Sequence, residues 1–109
     1  MKKSAYNKRL AISNDVVWHS FSDTTVIFYC SRDNKKSFFY ELDESGTLIW
    51  KLIAKFSPTK EELISELKKK FRRFNKKFEK EVLQFVENLK KKDLIVESNS
   101  KKVNKEIRF

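Results

Sequence analysis

The spacing of apolar residues changes once along this chain, near residue 43, and that change predicts the order of its secondary structure. Before it, apolar side chains alternate, as Val16 and Trp18 do on one face of a predicted strand. Alternation of this kind is typical of a β-strand. After it, Leu48, Leu52 and Phe56 recur every four residues, which is typical of an amphipathic helix. We therefore expect an α+β fold with strands first and helices second.

Three strands are predicted before this change, over residues 16–21, 25–30 and 37–42. Short polar segments separate them, so the pattern predicts a three-stranded antiparallel meander. The middle strand is β-branched and aromatic throughout. We therefore expect both of its faces to be largely covered.

Three helices are predicted after it. The first spans roughly 44–56 with Asp43 as its N-cap. Thr59 and Glu62 have the spacing of a capping box and predict the start of the second helix. The third helix spans roughly 76–92 and is expected to bury one apolar stripe, Phe78, Val82, Phe85 and Leu89.

The length of 109 residues predicts one domain. Leu, Ile, Val and Phe make up 33 of these residues, which is enough for a folded core. We expect the domain to span residues 14–97, preceded by a mobile arm at 1–13 and followed by a basic tail at 98–109. Leu10 and Ile12 are the arm's candidates to touch the body. The apolar run 94–96 is expected to pack back onto the core.

Composition excludes several kinds of functional site. A single Cys allows no intramolecular disulfide, a single His no multi-histidine metal site, and a single Gly no glycine-rich phosphate loop. No apolar run approaches the ~18–20 residues of a membrane span. His19 has no Ser or second Cys at a meaningful spacing, so we expect no enzyme, no cofactor and no metal. The lone Cys and the lack of a secretory signal predict a cytoplasmic protein.

The net charge of +10 is concentrated in patches. Residues 68–80 carry eight basic side chains and one acidic one. Such a patch is either a solvated surface or a contact surface for nucleic acid. Lys outnumbers Arg by twenty to five, which disfavours nucleic acid because Arg is the better residue for bidentate phosphate and base contacts. DNA binding by a winged helix through residues 68–80 is kept as the alternative function, with Gln84 and Asn88 as its base-contacting candidates.

The predicted strand at 37–42 lies at an edge of the meander and contains neither Pro nor Lys. Edge strands without such residues can accept an added strand. The sequence therefore offers a docking site for an extended peptide along six residues, Ser37, Phe38, Phe39, Tyr40, Glu41 and Leu42.

Two apolar residues of the third helix, Leu83 and Val86, lie about 80–140° to one side of its predicted stripe. They either widen the buried face or form one wall of a peptide groove that faces the 37–42 strand. Lys90 continues the same side of the helix. If these residues are core, a groove would lie on the opposite flank, toward Glu81 and Asn88.

Two segments resemble motifs of a known family. Residues 40–53 read Tyr-Glu-Leu-Asp-Glu-Ser-Gly-Thr-Leu-Ile-Trp-Lys-Leu-Ile. They are similar to a Leu-Asn-x-Thr/Ser-Gly-x-x-Ile-Trp-x-Leu stretch in which the third strand leads into the first helix. Residues 82–95 resemble a Val-x-x-Phe-Leu-x-x-Leu-x-x-x-Gly-Leu-Ile ending. Asp43 replaces the usual Asn and Asp93 the usual Gly. Over residues 16–97 the chain resembles the PqqD-like family of precursor-peptide recognition elements.

This resemblance implies a winged-helix-like domain that binds the leader segment of a ribosomally made precursor peptide. The leader would add to the 37–42 strand and pack against the third helix at Leu83, Val86 and Lys90. The resemblance also implies a separate modifying enzyme, either a radical SAM enzyme or a lasso leader peptidase and cyclase. The basic patch adds an expectation of electrostatic steering of an acidic leader by three side chains, Lys76, Lys77 and Lys80. No membrane partner is expected, and nucleic acid enters only through the alternative function above.

Overall fold

The computed structural model describes residues 8–30 and 37–98, and every structural statement below concerns these residues. In chain order the elements are β1 (Arg9–Ile12), β2 (Val16–Phe21), β3 (Thr24–Cys30), β4 (Ser37–Leu42), α1 (Glu44–Phe56), α2 (Lys60–Lys70), α3 (Lys76–Lys91) and β5 (Ile95–Ser98). The strands β2, β3 and β4 form an antiparallel sheet in that order, and three helices follow. The predicted α+β order is therefore confirmed.

Local capping chemistry determines where each helix begins. The Asp43 carboxylate accepts a hydrogen bond of 2.9 Å from the backbone N–H of Gly46 at the start of α1. Thr59 and Glu62 form the predicted capping box of α2. The Asn75 side chain accepts from the N–H of Phe78 at 2.8 Å and caps α3. These contacts satisfy backbone donors that have no partner within the helix.

Helix α1 packs against one face of the three-stranded sheet, and α2 and α3 pack against α1 and one another. That inner face carries Ile27, which is fully buried, and Trp18, whose ring meets Trp50 of α1 edge to face at 6.0 Å. On the outer face, Val17, Phe28 and Phe39 lie opposite one another across the three strands. They are 71%, 45% and 64% exposed. The expectation that both faces of β3 are covered is therefore wrong, because the helices cover only the inner face.

The core lies between the inner sheet face and the helices. Its fully buried members come from every helix and from both ends of the chain: Leu10, Ile27, Trp50, Ile53, Leu63, Leu67, Val86 and Leu94. Leu94 and Ile95 are buried as expected for the 94–96 run. Asp93, with a φ of 63°, reverses the chain after α3 so that this run can return to the core. No helix of the described residues is long and apolar enough to cross a bilayer.

The predicted mobile arm at 1–13 is wrong for the four residues of β1. This strand pairs antiparallel with β5, and the N–H of Leu10 donates to the carbonyl of Pro58 at 2.8 Å. Leu10 is fully buried, so the fold begins before residue 14. At the other end, Ser98 belongs to β5 rather than to a tail. The rest of the predicted arm and tail, residues 1–7 and 99–109, lies outside the described residues.

We predict that Leu10→Ala lowers the free energy of unfolding by about 2–5 kcal/mol, because it deletes a fully buried Leu side chain. Val17→Ala is the control, since it removes an apolar side chain that is largely exposed. Urea unfolding followed by circular dichroism measures both changes. Equal stability of the two variants would show that β1 does not contribute to the core.

Candidate functional site

The edge of β4 that faces away from β3 is the central feature of the site. Ser22 and Asp23 form a two-residue turn between β2 and β3, with a positive φ of 56° at Ser22. The flanking pair, Phe21 and Thr24, is a hydrogen-bonded pair in such a hairpin. Hydrogen-bonded and non-hydrogen-bonded pairs then alternate along the sheet. This alternation directs the backbone groups of alternate β3 residues, beginning with Thr25, toward β4.

The same alternation decides which β4 groups are available. The β4 residues opposite Thr25, Ile27 and Tyr29 are Leu42, Tyr40 and Phe38, so their backbone groups point toward β3. The N–H and C=O groups of Phe39 and Glu41 therefore point to the other edge. No strand of residues 8–30 or 37–98 pairs with that edge. It can accept a further strand by backbone hydrogen bonding.

One face of α3 lies beside this edge. The aromatic ring of Phe85 and the Cβ of Leu42 both approach Gly46 so closely that a Cβ added there would lie 3.2 Å from each. Toward the other end of β4, the Nζ of Lys92 lies 5.8 Å from the centre of the Tyr40 ring. Residues 85 and 92 are two helical turns apart and share one face. We call the space between this face and the open edge of β4 the β4–α3 groove.

Phe85 and Lys92 define the α3 wall of this groove, and helical spacing puts Glu81 and Asn88 on the same side of the helix. Phe85 is half-buried, whereas Glu81, Asn88 and Lys92 are exposed. On the opposite wall, the inner-face side chains of β4 include Phe38 and Tyr40, whose rings lie 6.3 Å apart. The groove therefore combines an aromatic lining with exposed polar groups, a composition suited to a peptide with apolar side chains.

The positions expected for Leu83 and Val86 are wrong. Val86 is fully buried in the core, and Leu83 lines a cleft with Lys60 and Ile64 of α2. Neither faces β4, because the buried stripe of α3 centres on Val82, Val86 and Leu89. By helical spacing, Glu81 and Asn88, which the sequence offered as the second possibility, share the side of α3 on which Phe85 approaches Gly46 and Leu42. The i, i+4, i+7 spacing of residues 81, 85 and 88 is the sequence signal for this wall.

Lys90 is also placed away from the groove. Its Nζ donates to Glu97 of β5 at 2.6 Å and to Glu87 at 3.4 Å. Lys60 of α2 donates to the same Glu87 at 3.1 Å and lies 3.9 Å from Glu97. These four side chains form an ion cluster that joins α2, α3 and β5. Lys90 therefore has a structural partner and is not available to a peptide at β4.

The cluster shifts the pKa of two of its members in opposite directions. The hydrogen bond to Glu97 raises the pKa of Lys90, so its stabilising contribution is complete at neutral pH and is lost only in strong base. Hydrogen bonding and the charge of Lys60 lower the pKa of Glu87. The contribution of Glu87 to the free energy of unfolding is therefore present at pH values above the ordinary carboxyl range. It is lost as the pH falls through the lowered pKa of Glu87.

We predict that Lys90→Gln lowers the free energy of unfolding by about 1 kcal/mol, because it leaves the largely buried Glu97 carboxylate without its closest cation. Lys91→Gln is the matched control, since Lys91 is an exposed neighbour on the same helix turn. Thermal unfolding at pH 7 and low salt measures the difference. An unchanged melting temperature for Lys90→Gln would mean that the cluster does not stabilise the fold.

The three lysines expected to steer a ligand lie on two different sides of α3. Lys76 and Lys80 border a cleft together with Leu83, on the side away from β4. Lys77 also borders a second cleft that includes Ser45 and Glu81 and so lies on the β4 side. All three lysines are exposed. His19 is exposed too, with its ring 4.6 Å from that of Phe21. In the part of the chain that the structure describes, no group of three or more His, Cys, Asp or Glu side chains could hold a metal ion.

Comparisons with known proteins agree with this architecture. A family model described as "Coenzyme PQQ synthesis protein D (PqqD)" matches residues 26–95, well over half of the chain. A solved structure described as "TbiB1 in Complex with the TbiA(beta) Leader Peptide" superposes with a TM-score of 0.64 at 22% sequence identity. The superposition covers 78% of this chain and 93% of that one, so the two share their fold. No curated protein matches the sequence.

Proposed function

Because the chain belongs to the PqqD family, we propose that it binds the leader segment of a ribosomally made precursor peptide by strand addition to β4. The observation that carries this proposal is the open edge of β4, where the backbone groups of Phe39 and Glu41 point outward beside the β4–α3 groove. The structural neighbour TbiB1, which has the same fold, is a complex with a leader peptide.

Backbone pairing and side-chain packing have different roles in this binding mode. Hydrogen bonds along β4 supply affinity that depends little on the sequence of the peptide. Alternate side chains of the added strand point into the groove, between Tyr40 and Phe85. Burying one leucine-sized side chain there contributes roughly 1.5–3 kcal/mol and supplies selectivity. The exposed ends of the groove, at Glu81 and Lys92, then favour peptides of complementary charge.

We predict that Phe39→Pro weakens leader binding at least tenfold and leaves the domain folded. Proline removes an N–H that points to the open edge, and its ring obstructs the added strand. Tyr40→Pro is the matched control, because it removes an N–H directed at β3 and is expected to unfold the sheet instead. Isothermal titration with the precursor peptide encoded in the same gene neighbourhood measures affinity. Unchanged affinity in a folded Phe39→Pro variant would falsify strand addition at β4.

A second prediction tests the side of α3 that contacts the peptide. Asn88→Trp places a large ring in the groove and should weaken binding of the same precursor about tenfold, with little change in stability because Asn88 is exposed. Lys91→Trp adds the same ring on the solvent side of α3 and should bind normally. If Lys91→Trp weakens binding as much as Asn88→Trp does, the peptide does not lie between α3 and β4.

We further propose that the chain presents the peptide to a separate modifying enzyme and performs no chemistry itself. A leader held as a strand leaves the remainder of the precursor outside the domain, where a second protein can act on it. We propose a radical SAM enzyme or a lasso leader peptidase and cyclase as that partner, in the cytoplasm. Stoichiometric metal in the purified chain, or modification of the precursor by the chain alone, would contradict this part of the proposal.

Long-range attraction between the basic surface and an acidic leader adds to the proposal. Lys76, Lys77 and Lys80 are exposed, and each exposed ion pair contributes only ~0.2–1 kcal/mol, so these lysines act on the association rate more than on affinity. Lys90, which was expected on the groove wall, does not add to this attraction, since Glu97 holds it. The family match and the structural neighbour give no support to the alternative function, DNA binding through the basic patch at 68–80.

A further inference from the structure

A second cleft opens where the β4–α3 groove ends. It has a volume of about 850 Å³ and lies between the first turn of α1 and the connection from α2 to α3. Phe71 and Phe78, both half-buried, form its apolar part, and Lys70, Arg72, Arg73 and Lys77 form its basic part. We call it the basic–aromatic cleft. Its volume is that of a site for several peptide residues rather than for a single ion.

The charges of this cleft are not balanced by the protein. Four cations line it, from Lys70, Arg72, Arg73 and Lys77, against the single carboxylate of Glu81. None of these four cations forms an ion pair with any described residue. On the other side of the molecule, Lys60 and Lys90 are held by Glu87 and Glu97. Cations that repel one another in this way are stabilised by a bound anion.

The apolar part of the cleft is an ordered aromatic cluster. The rings of Phe71 and Phe78 meet edge to face with centroids 5.2 Å apart, and Phe74 meets Phe78 at 5.0 Å. Lys68 adds a cation 6.0 Å above the Phe74 ring. An occupant that places carboxylates on the rim and one apolar or aromatic side chain on this cluster would satisfy both parts.

The cleft is continuous with the β4–α3 groove. Ser45, which lines it, precedes Gly46, where Leu42 at the end of β4 and Phe85 of α3 converge. On α3, Glu81 lies one turn before Phe85 and Lys77 one turn further, both lining the cleft. Two helical turns span ~11 Å. Three or four extended residues beyond Leu42 are enough to reach Lys77, at ~3.3 Å per residue.

From these observations we propose that the peptide bound to β4 extends past Leu42 and places an acidic and apolar segment of three or four residues in the basic–aromatic cleft. The placement of the peptide on β4 rests on the proposed function, whereas the shape and charge of the cleft are independent of it. The phosphates of a nucleic acid are the competing anion. A peptide is favoured over a nucleic acid because the adjoining edge of β4 can pair with a peptide backbone. The Glu81 carboxylate also repels a chain that is anionic at every unit, whereas a peptide can place a neutral residue beside it.

The test uses three fluorescein-labelled probes that do not depend on knowing the leader. They are a Glu-Glu-Phe-Glu-Glu-Phe hexapeptide, a Lys-Lys-Phe-Lys-Lys-Phe hexapeptide and a 12-nucleotide single-stranded DNA. Fluorescence anisotropy is measured at 20 mM and 300 mM NaCl with the full chain. The R72E/R73E variant reverses two charges of the cleft. K55E/K91E reverses two exposed charges outside it and is the matched control.

The acidic hexapeptide is expected to bind the unaltered chain and K55E/K91E equally, to bind R72E/R73E about tenfold more weakly, and to weaken at high salt. Amide NMR shifts should change at Ser45 and Lys77. Equal binding to R72E/R73E, or no binding to the unaltered chain at millimolar peptide, overturns the inference. DNA binding that is tighter than acidic-peptide binding and is lost in R72E/R73E overturns it in favour of a nucleic acid.

Phe39→Pro separates this inference from the proposed function. That variant is expected to bind the acidic hexapeptide normally, because the cleft does not include β4 residues. Loss of hexapeptide binding in folded Phe39→Pro would place the probe on β4 and overturn the cleft assignment. If only the acidic hexapeptide fails to bind, the proposal of strand addition at β4 still stands, because strand addition is measured separately with the precursor peptide.

Discussion

The close approach of three elements at Gly46 is the constraint on which the site depends. Gly46 is the only glycine of the chain. A Cβ there would lie 3.2 Å from Leu42 at the end of β4, 3.2 Å from Phe85 of α3 and 3.3 Å from the Asp43 carboxylate. Contacts this short require a neighbour to move, and the Cβ of Leu42 is attached directly to the strand backbone. A glycine therefore sets how closely α3 approaches β4, and with it the width of the groove.

A chain of hydroxyl groups holds the sheet and α1 in the orientation that this approach needs. Ser20 and Thr25 are hydrogen bonded at 2.9 Å, and Thr25 donates to Thr47 at 2.9 Å. Thr47 in turn lies 3.4 Å from the carbonyl oxygen of Leu42. Thr25 and Thr47 are buried, where an unpaired hydroxyl is costly, so the chain favours one placement of α1 on the sheet. The aromatic contact between Trp18 and Trp50 supports the same placement.

The distribution of charge separates the surfaces of the molecule. The strands β2, β3 and β4 contain no Lys or Arg, although the chain has 25 of them. Fourteen of these basic residues lie on the three helices and their connections, within residues 44–93. Where α2, α3 and β5 meet, the carboxylates of Glu87 and Glu97 neutralise Lys60 and Lys90. The unpaired positive charges of Arg72 and Arg73 lie at one end of the β4–α3 groove. The neighbouring strand β4 carries no positive charge of its own.

Much of the fold could be predicted because it depends on local interactions. The period of apolar residues, the caps at Asp43 and Thr59, and the edge strand without Pro or Lys are all properties of short segments. The bounds of α1 and α3 and the start of α2 agree with the structure to within one residue, and β4 agrees at both ends. The open edge as a candidate docking site followed from the same local pattern and the predicted strand order.

Other features are decided only by contacts between distant segments. Four residues around Leu10 are too few to signal a strand by their period, and they become one because β5 and Pro58 supply hydrogen-bond partners from far along the chain. The rotation of α3 about its axis is equally non-local. Its sequence shows apolar residues on more than one side, but packing against α2, β5 and Gly46 buries Val86 and turns Phe85 toward β4. The sequence by itself thus determined β2, β3, β4 and the three helices, and that one edge of β4 is unprotected. The tertiary structure decided which flank of α3 faces that edge, because only packed neighbours distinguish one apolar side of a helix from the other.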